Sequence, residues 1–238
     1  EIKKQLDNVI VEYEKKEILK AYGLTPKKKL LFCGAPGCGK TICAEAVANI
    51  LDLPILYTCF DGLISSYLGE TSSNIRKVFD FASKNNWVLF FDEFDAIGKS
   101  RDTVEEHSEL KRVVNSFLQI LDGFTCDSLV IAATNHEKAI DKVLCRRVDY
   151  IVMFNKPNYE QIVMLIQKKL RAFSVEWLDI NKFAKELEGC SYADIERVCL
   201  SSIKSCGINV NKPITNEVFS ENVRMELERA NIIKTIGE

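Results

Sequence analysis

Apolar and polar positions along the first two thirds of the chain follow one repeating order. A short, nearly unbroken apolar run comes first, then a polar turn, then a longer amphipathic stretch. The short runs are Leu30–Cys33, Ile55–Thr58, Val88–Asp92, Leu129–Thr134 and Tyr150–Phe154. Apolar runs of this length, bounded by turn residues, predict buried strands. Between them Thr41–Leu51, Ser72–Lys84 and Glu106–Leu121 read as helices. Such alternation predicts a parallel sheet covered by helices on both faces. Glu1 to Tyr22 predicts a charged helical lead-in. After Pro157 the strand-like runs stop, and Asn158–Phe173, Ile180–Leu187, Tyr192–Cys206 and Thr215–Ala230 predict four helices. The pattern divides the chain into an α/β domain, residues 1–156, and a helical domain, residues 157–238. Asn155-Lys156-Pro157 suits a hinge, because proline interrupts regular structure there.

Three of the strand ends carry chemistry. Leu30–Cys33 is followed by Gly34-Ala35-Pro36-Gly37-Cys38-Gly39-Lys40-Thr41, a G-x-x-x-x-G-K-T sequence that opens a helix. Loop N–H groups and the helix dipole in such a turn surround the β- and γ-phosphates of a nucleotide. Lys40 reaches those phosphates and the Thr41 hydroxyl ligates Mg²⁺. Trp87-Val88-Leu89-Phe90-Phe91 ends in Asp92-Glu93, two carboxylates at the strand edge where ligands of parallel sheets collect. Asp92 is a candidate Mg²⁺ holder, directly or through water, and Glu93 a candidate general base for an attacking water. Ser128–Asn135 is a further buried strand closed by a polar pair, and Asn135 can orient that water or sense the γ-phosphate.

Composition narrows the partners. The 238 residues are 47% hydrophobic and 28% charged, enough for a real core and a solvated surface. A net charge of −2 provides no electrostatic footprint for nucleic acid. No run approaches the roughly 18 apolar residues of a membrane span. The nine cysteines include no C-x-x-C pair, and with two histidines they form no zinc pattern. Several lie in apolar segments, so they read as small buried hydrophobes in a reducing, cytoplasmic setting. A start at Glu1 rather than Met is what a fragment or processed form would show, and whether an upstream domain is missing stays open.

Taken together, these motifs resemble the classical-clade AAA+ ATPase module, with similarity to bacterial stand-alone AAA family ATPases. The resemblance runs from about Leu24 to Leu200. It implies a P-loop NTPase fold of five parallel strands in the order 5-1-4-3-2 between helices, with a small all-helical C-terminal lid. Gly34, Ala35, Pro36, Gly37, Cys38, Gly39, Lys40, Thr41 and Ile42 then line the ATP site. The lid segment Gly189-Cys190-Ser191-Tyr192-Ala193-Asp194-Ile195 is similar to the family's G-x-S-G-A-D-I and adds Ser191 and Ala193. ATP and Mg²⁺ are the implied cofactors, with Thr41 and Asp92 on the metal and Lys40, Asp92, Glu93 and Asn135 in catalysis. Cys38 stands where the family usually has Thr or Ser, and Tyr192 where it has Gly. The family's Asp-x-Gly-Gly segment before the first helix has no counterpart here.

Two further segments acquire roles only through the resemblance. Adjacent arginines are ordinarily a surface pair, but Arg146 and Arg147 match the family's arginine fingers, which reach a neighbouring subunit's nucleotide. Tyr67, Leu68 and Gly69 match the aromatic loop that lines a ring's central pore and grips an extended polypeptide. Lys99 to Glu106 falls where a second, charged pore loop would be. The resemblance implies a homo-oligomeric ring, a hexamer, that hydrolyses ATP to remodel or unfold protein substrates. Two alternatives stay open: a regulatory ATPase that switches a bound protease or effector, and a loader of a nucleic-acid machine.

Overall fold

The computed structural model describes residues 1–59, 71–94, 104–135, 142–173, 175, 177–207 and 213–236. Two compact units emerge: residues 1–34 with 40–154, and residues 35–39 with 155–238.

The first unit is built on five parallel strands: β1 (Lys29–Gly34), β2 (Ile55–Cys59), β3 (Val88–Asp92), β4 (Leu129–Thr134) and β5 (Tyr150–Phe154). Their order is β2-β3-β4-β1-β5, the order that the resemblance implies, counted from the other edge. The three inner strands are buried on nearly every residue, as expected for a sheet covered on both faces. The edge strand β5 alternates buried Val152 and Phe154 with exposed Ile151 and Met153. Pairing is in register at the functional ends, with Gly34 beside Phe154 and Cys59 beside Asp92.

Among the described residues the helices of this unit are α1 (Ile2–Glu14), α2 (Lys16–Ala21), α3 (Lys40–Ile50), α4 (Thr71–Ala82), α5 (Val104–Gly123) and α6 (Lys142–Cys145). The lead-in expected as one helix is thus two, broken at Lys15, whose ψ of 18° leaves the helical range. Helix α1 buries Leu6, Val9, Ile10 and Tyr13, an apolar stripe at helical spacing. Asp127 anchors this corner: its carboxylate meets Lys28 at 2.6 Å, Lys16 at 3.2 Å and Lys20 at 3.3 Å. The Lys28 hydrogen bond, aided by Lys16 and opposed by partial burial, holds the Asp127 carboxyl well below the usual range. Tyr13 donates its hydroxyl to the Asp127 carbonyl at 2.5 Å. Ser128, fully buried, accepts from the Trp87 N–H at 3.0 Å and donates to the Ala82 carbonyl at 3.0 Å. One hydroxyl therefore ties the end of α4 to the starts of β3 and β4.

Beneath the carboxylate end of β3 lies an aromatic cluster. Phe91 stacks on Phe79 at 5.5 Å and meets Phe117 edge-on at 5.2 Å. Phe94 lies 5.0 Å from the same Phe117 ring. Such pairs add specific geometry to apolar burial, so the backbone on both sides of Asp92-Glu93 is held by packed rings.

The described residues of the second unit form four helices: α7 (Tyr159–Leu170), α8 (Ile180–Glu186), α9 (Tyr192–Gly207) and α10 (Asn216–Ile236). Helix α7 starts with a full capping box, Asn158 and Gln161 each bonding the other's backbone N–H. The apolar faces meet in one core that includes Ile162, Ile166, Phe183, Ile195, Val198, Phe219 and Val223. Cys190, Cys199 and Cys206 belong to this core and Cys33 to the other, the role expected of cysteines in apolar runs. Burial pushes the Cys199 thiol up to about 12. Among the described residues, no helix is long and apolar enough to cross a membrane.

Candidate nucleotide site

The strand-to-helix turn is shaped by glycines where a side chain will not fit. Gly34 ends β1 at φ 148°, and a Cβ there would lie 2.1 Å from the Phe154 carbonyl oxygen of β5. Gly37 has φ 73°, a conformation that other residues rarely adopt. The turn therefore delivers the chain tightly from β1 into α3. At Gly39 a Cβ would meet nothing within 4 Å, so the side of the turn at the head of α3 is open.

Lys40 begins α3 and is only 6% exposed. Its ammonium donates to the Gly34 carbonyl at 2.6 Å and to Asn135 Oδ1 at 2.8 Å. Lys40 and Asn135, 95 positions apart, thus meet because β1 and β4 are neighbours in the sheet. A buried ammonium at a helix N-terminus is a centre of positive potential suited to an anion. Thr41, half-buried, follows in the first turn of α3.

Asp92 closes β3, and Glu93 turns out of the strand at φ 55°, exposed. The Glu93 N–H donates to Asp92 Oδ1 at 2.9 Å, and the next N–H, of buried Phe94, donates to the Ala133 carbonyl at 3.0 Å. A non-glycine residue in the left-handed region is uncommon and clusters at functional sites. Glu93 also accepts from the Cys59 thiol, with Sγ 3.3 Å from Oε2. The sequence reading passed over Cys59. Its signal was the strand order, since the last residue of β2 pairs with Asp92.

These residues fit a nucleotide and a hard cation. The turn is open at the head of a helix, Lys40 supplies positive charge, and Thr41, Asp92 and Glu93 are oxygen donors of the kind Mg²⁺ takes. Thr41 and Asp92 would hold the ion, which when bound neutralises phosphate charge.

The remaining expected site residues divide. In the second unit, Ser191 and Ala193 meet the loop segment 35–39, for the Ala193 N–H donates to the Gly37 carbonyl at 3.1 Å. A Cβ on Gly37 would lie 2.6 Å from Ser191 Oγ. Pro36 is exposed, Cys38 is buried and Ile42 is 66% exposed. Arg146 is exposed, whereas Arg147 makes a 2.9 Å ion pair with Asp122. Both arginines precede β5, whose first residue pairs with Leu30 near the start of β1. They therefore lie toward the end of the sheet where β1 begins, whereas Gly34 closes β1 at its other end, about 13 Å from Leu30 at the rise of a parallel strand. Tyr67, Leu68 and Gly69 lie outside the described residues. So does the segment 99–103, while the backbone from Val104 belongs to α5.

Residues 30–156 match the AAA family, the ATPases associated with various cellular activities. The chain belongs to this family. An uncharacterized AAA family ATPase of Sinorhizobium fredii, y4kL, is 42% identical over 221 residues, covering 93% of this chain and 67% of that protein. A Plasmodium falciparum protein named as a cell division cycle ATPase is 31% identical over 231 residues, covering 94% of this chain but 18% of its own length. Family membership carries nucleotide binding, and relatives named as ATPases point to ATP hydrolysis.

Proposed function

We propose that this chain hydrolyses Mg²⁺-bound ATP and works as a homo-oligomeric ring, a hexamer, that remodels or unfolds protein substrates. Lys40 holds the β- and γ-phosphates, with Thr41 and Asp92 on the metal. Glu93 takes the proton from the attacking water, which Asn135 orients. Supporting this division, Lys40 is buried and bonded to Asn135, while Glu93 is exposed at the strand edge.

The observation that supports the ring is that the arginines precede the start of β5, while Gly34 closes β1 at the opposite end of the sheet. An arginine at the far end of the sheet from Gly34 is placed to serve a γ-phosphate bound by a neighbouring subunit rather than its own. Arg146 is the stronger finger of the pair, because Arg147 is held by Asp122 in its own chain. The finger stabilises charge that spreads over the γ-phosphoryl group in transfer.

Subunit mixing tests this. Arg146→Ala alone is expected to lower turnover by a factor on the order of 10³. Lys40→Ala alone is expected to be inactive. An equimolar mixture recovers roughly a quarter of the wild-type interfaces, half times half, because each variant supplies what the other lacks. A mixture no more active than its components removes the trans finger.

Threading is the finer part of the proposal and rests on Tyr67, Leu68 and Gly69. Tyr67→Ala is expected to keep ATP turnover within about threefold and to lose work on a protein substrate, since the ring holds peptide without reading its sequence. If Tyr67 is instead a core residue, the variant loses about 3–5 kcal/mol of stability and its melting temperature falls. That drop would sink the pore role.

A further inference from the structure

Among the described residues the buried charged side chains are Lys40 and Glu226. Lys40 belongs to the phosphate loop, but Glu226, 8% exposed in the middle of α10, has no part in the chemistry above. A buried carboxylate needs a partner, and Glu226 has an elaborate one. Arg197 of α9 donates Nε to both carboxylate oxygens at 3.1 Å and Nη2 to Oε1 at 2.9 Å. Arg229 adds Nη1 to Oε1 at 3.2 Å.

The chain of contacts continues toward the loop. The same Arg197 Nη2 donates to Asp194 Oδ1 at 2.5 Å. The other oxygen of Asp194 accepts the Ser191 backbone N–H at 2.8 Å and the Ser191 hydroxyl at 2.7 Å. Ser191, 6% exposed, faces Gly37, where a Cβ would lie 2.6 Å from its Oγ. The N–H of Ala193, between Ser191 and Asp194, donates to the Gly37 carbonyl at 3.1 Å. Every link lies within the second unit, which includes loop residues 35–39.

We propose that Arg197 and Glu226 are positioning residues for nucleotide binding: clamped by Glu226, Arg197 fixes Asp194, which orients Ser191 against Gly37 of the phosphate loop. The proposal rests on the reading of residues 34–41 as an ATP phosphate loop. The geometry is of the strong kind, a guanidinium fork on a carboxylate, which adds direction as well as energy. Its placement makes it consequential. Glu226 is connected to Gly37 through three side chains in series, those of Arg197, Asp194 and Ser191. Burial by itself pushes the Asp194 carboxyl up, but the two Ser191 donors and the charges of Arg197 and Lys156 hold it below its usual range. It is therefore an ionised acceptor at neutral pH, able to hold both Ser191 groups.

The test is an equilibrium titration of the full chain with a fluorescent ATP analogue, beside steady-state kinetics with Mg²⁺-bound ATP. Arg197→Ala is expected to weaken binding roughly tenfold, within the range of coupling between linked sites. KM rises in parallel while kcat stays within about twofold, because the residue acts on binding and not on the transition state. Arg197→Lys keeps the charge without the fork and falls between. Glu226→Gln, close in volume to the native residue, is the second variant should Arg197→Ala fail to fold, and is expected to weaken binding several-fold. Arg197→Ala or Glu226→Gln protein that binds within twofold of wild type, whatever its melting temperature, overturns the proposal. Wild type that binds no better than Lys40→Ala overturns instead the ATP-site reading on which it rests.

Discussion

Lys40→Ala is expected to remove ATP binding and leave a folded protein. Lys40 is the buried cation of the loop, 6% exposed, and its ammonium sits 2.6 Å from the Gly34 carbonyl at the head of α3. Truncating one partner of a buried, hydrogen-bonded charge pair costs about 2–5 kcal/mol, roughly 30-fold to several-thousand-fold in affinity. The folded state loses less. The variant removes the charge together with its donors, leaving the Gly34 carbonyl and Asn135 Oδ1 each short of one hydrogen bond. That costs about 1–3 kcal/mol, a shift of several degrees in melting temperature for a chain of this size. A titration and a melting curve on the same sample separate the two effects. Nucleotide affinity within a few-fold of wild type, in folded Lys40→Ala, would show that Lys40 does not hold phosphate.

Glu93→Gln is expected to do the reverse, keeping nucleotide and losing turnover by about 10²–10⁴-fold. The substitution preserves size and leaves the backbone contact from the Glu93 N–H to Asp92 in place. It removes the capacity to accept a proton, which matters only in the chemical step. The left-handed backbone at Glu93, φ 55°, turns its carboxylate out of the strand beside Asp92. Packed Phe91, Phe94 and Phe117 secure the backbone on either side. Because the Cys59 thiol donates to Oε2, glutamine in either orientation keeps a polar group there. Equilibrium binding and phosphate release, measured on one preparation, check both halves.

Much of this was legible in the chain itself. The five apolar runs became the five strands, because burial on both faces of a parallel sheet leaves few places for polar residues. The glycine loop was legible because the backbone required there, φ 148° at Gly34 and φ 73° at Gly37, restricts the residue types that can occupy it. Strand order was different. Pairing is non-local, so spacing could not supply it and only the family resemblance did. The contacts that sequence reasoning missed share that character. Cys59 meets Glu93 across 34 positions and Arg197 meets Glu226 across 29, with no local pattern announcing either. Arg146 and Arg147, equivalent as a dipeptide, were separated only by Asp122, which engages one of them. The lead-in break at Lys15 was invisible for another reason, since lysine is an ordinary helix former and its ψ of 18° has no signature in residue type.

The central claim is that this strand-end site hydrolyses ATP through Glu93. Single-turnover phosphate release tests it most directly, with limiting γ-labelled ATP and Mg²⁺ mixed into excess wild-type or Glu93→Gln protein at a concentration that supports assembly. The account predicts that wild type converts the bound ATP to ADP and phosphate, while Glu93→Gln binds the same ATP and releases phosphate at least about 100-fold more slowly. Equal release rates from the two proteins, or intact ATP on fully loaded wild type, would contradict it.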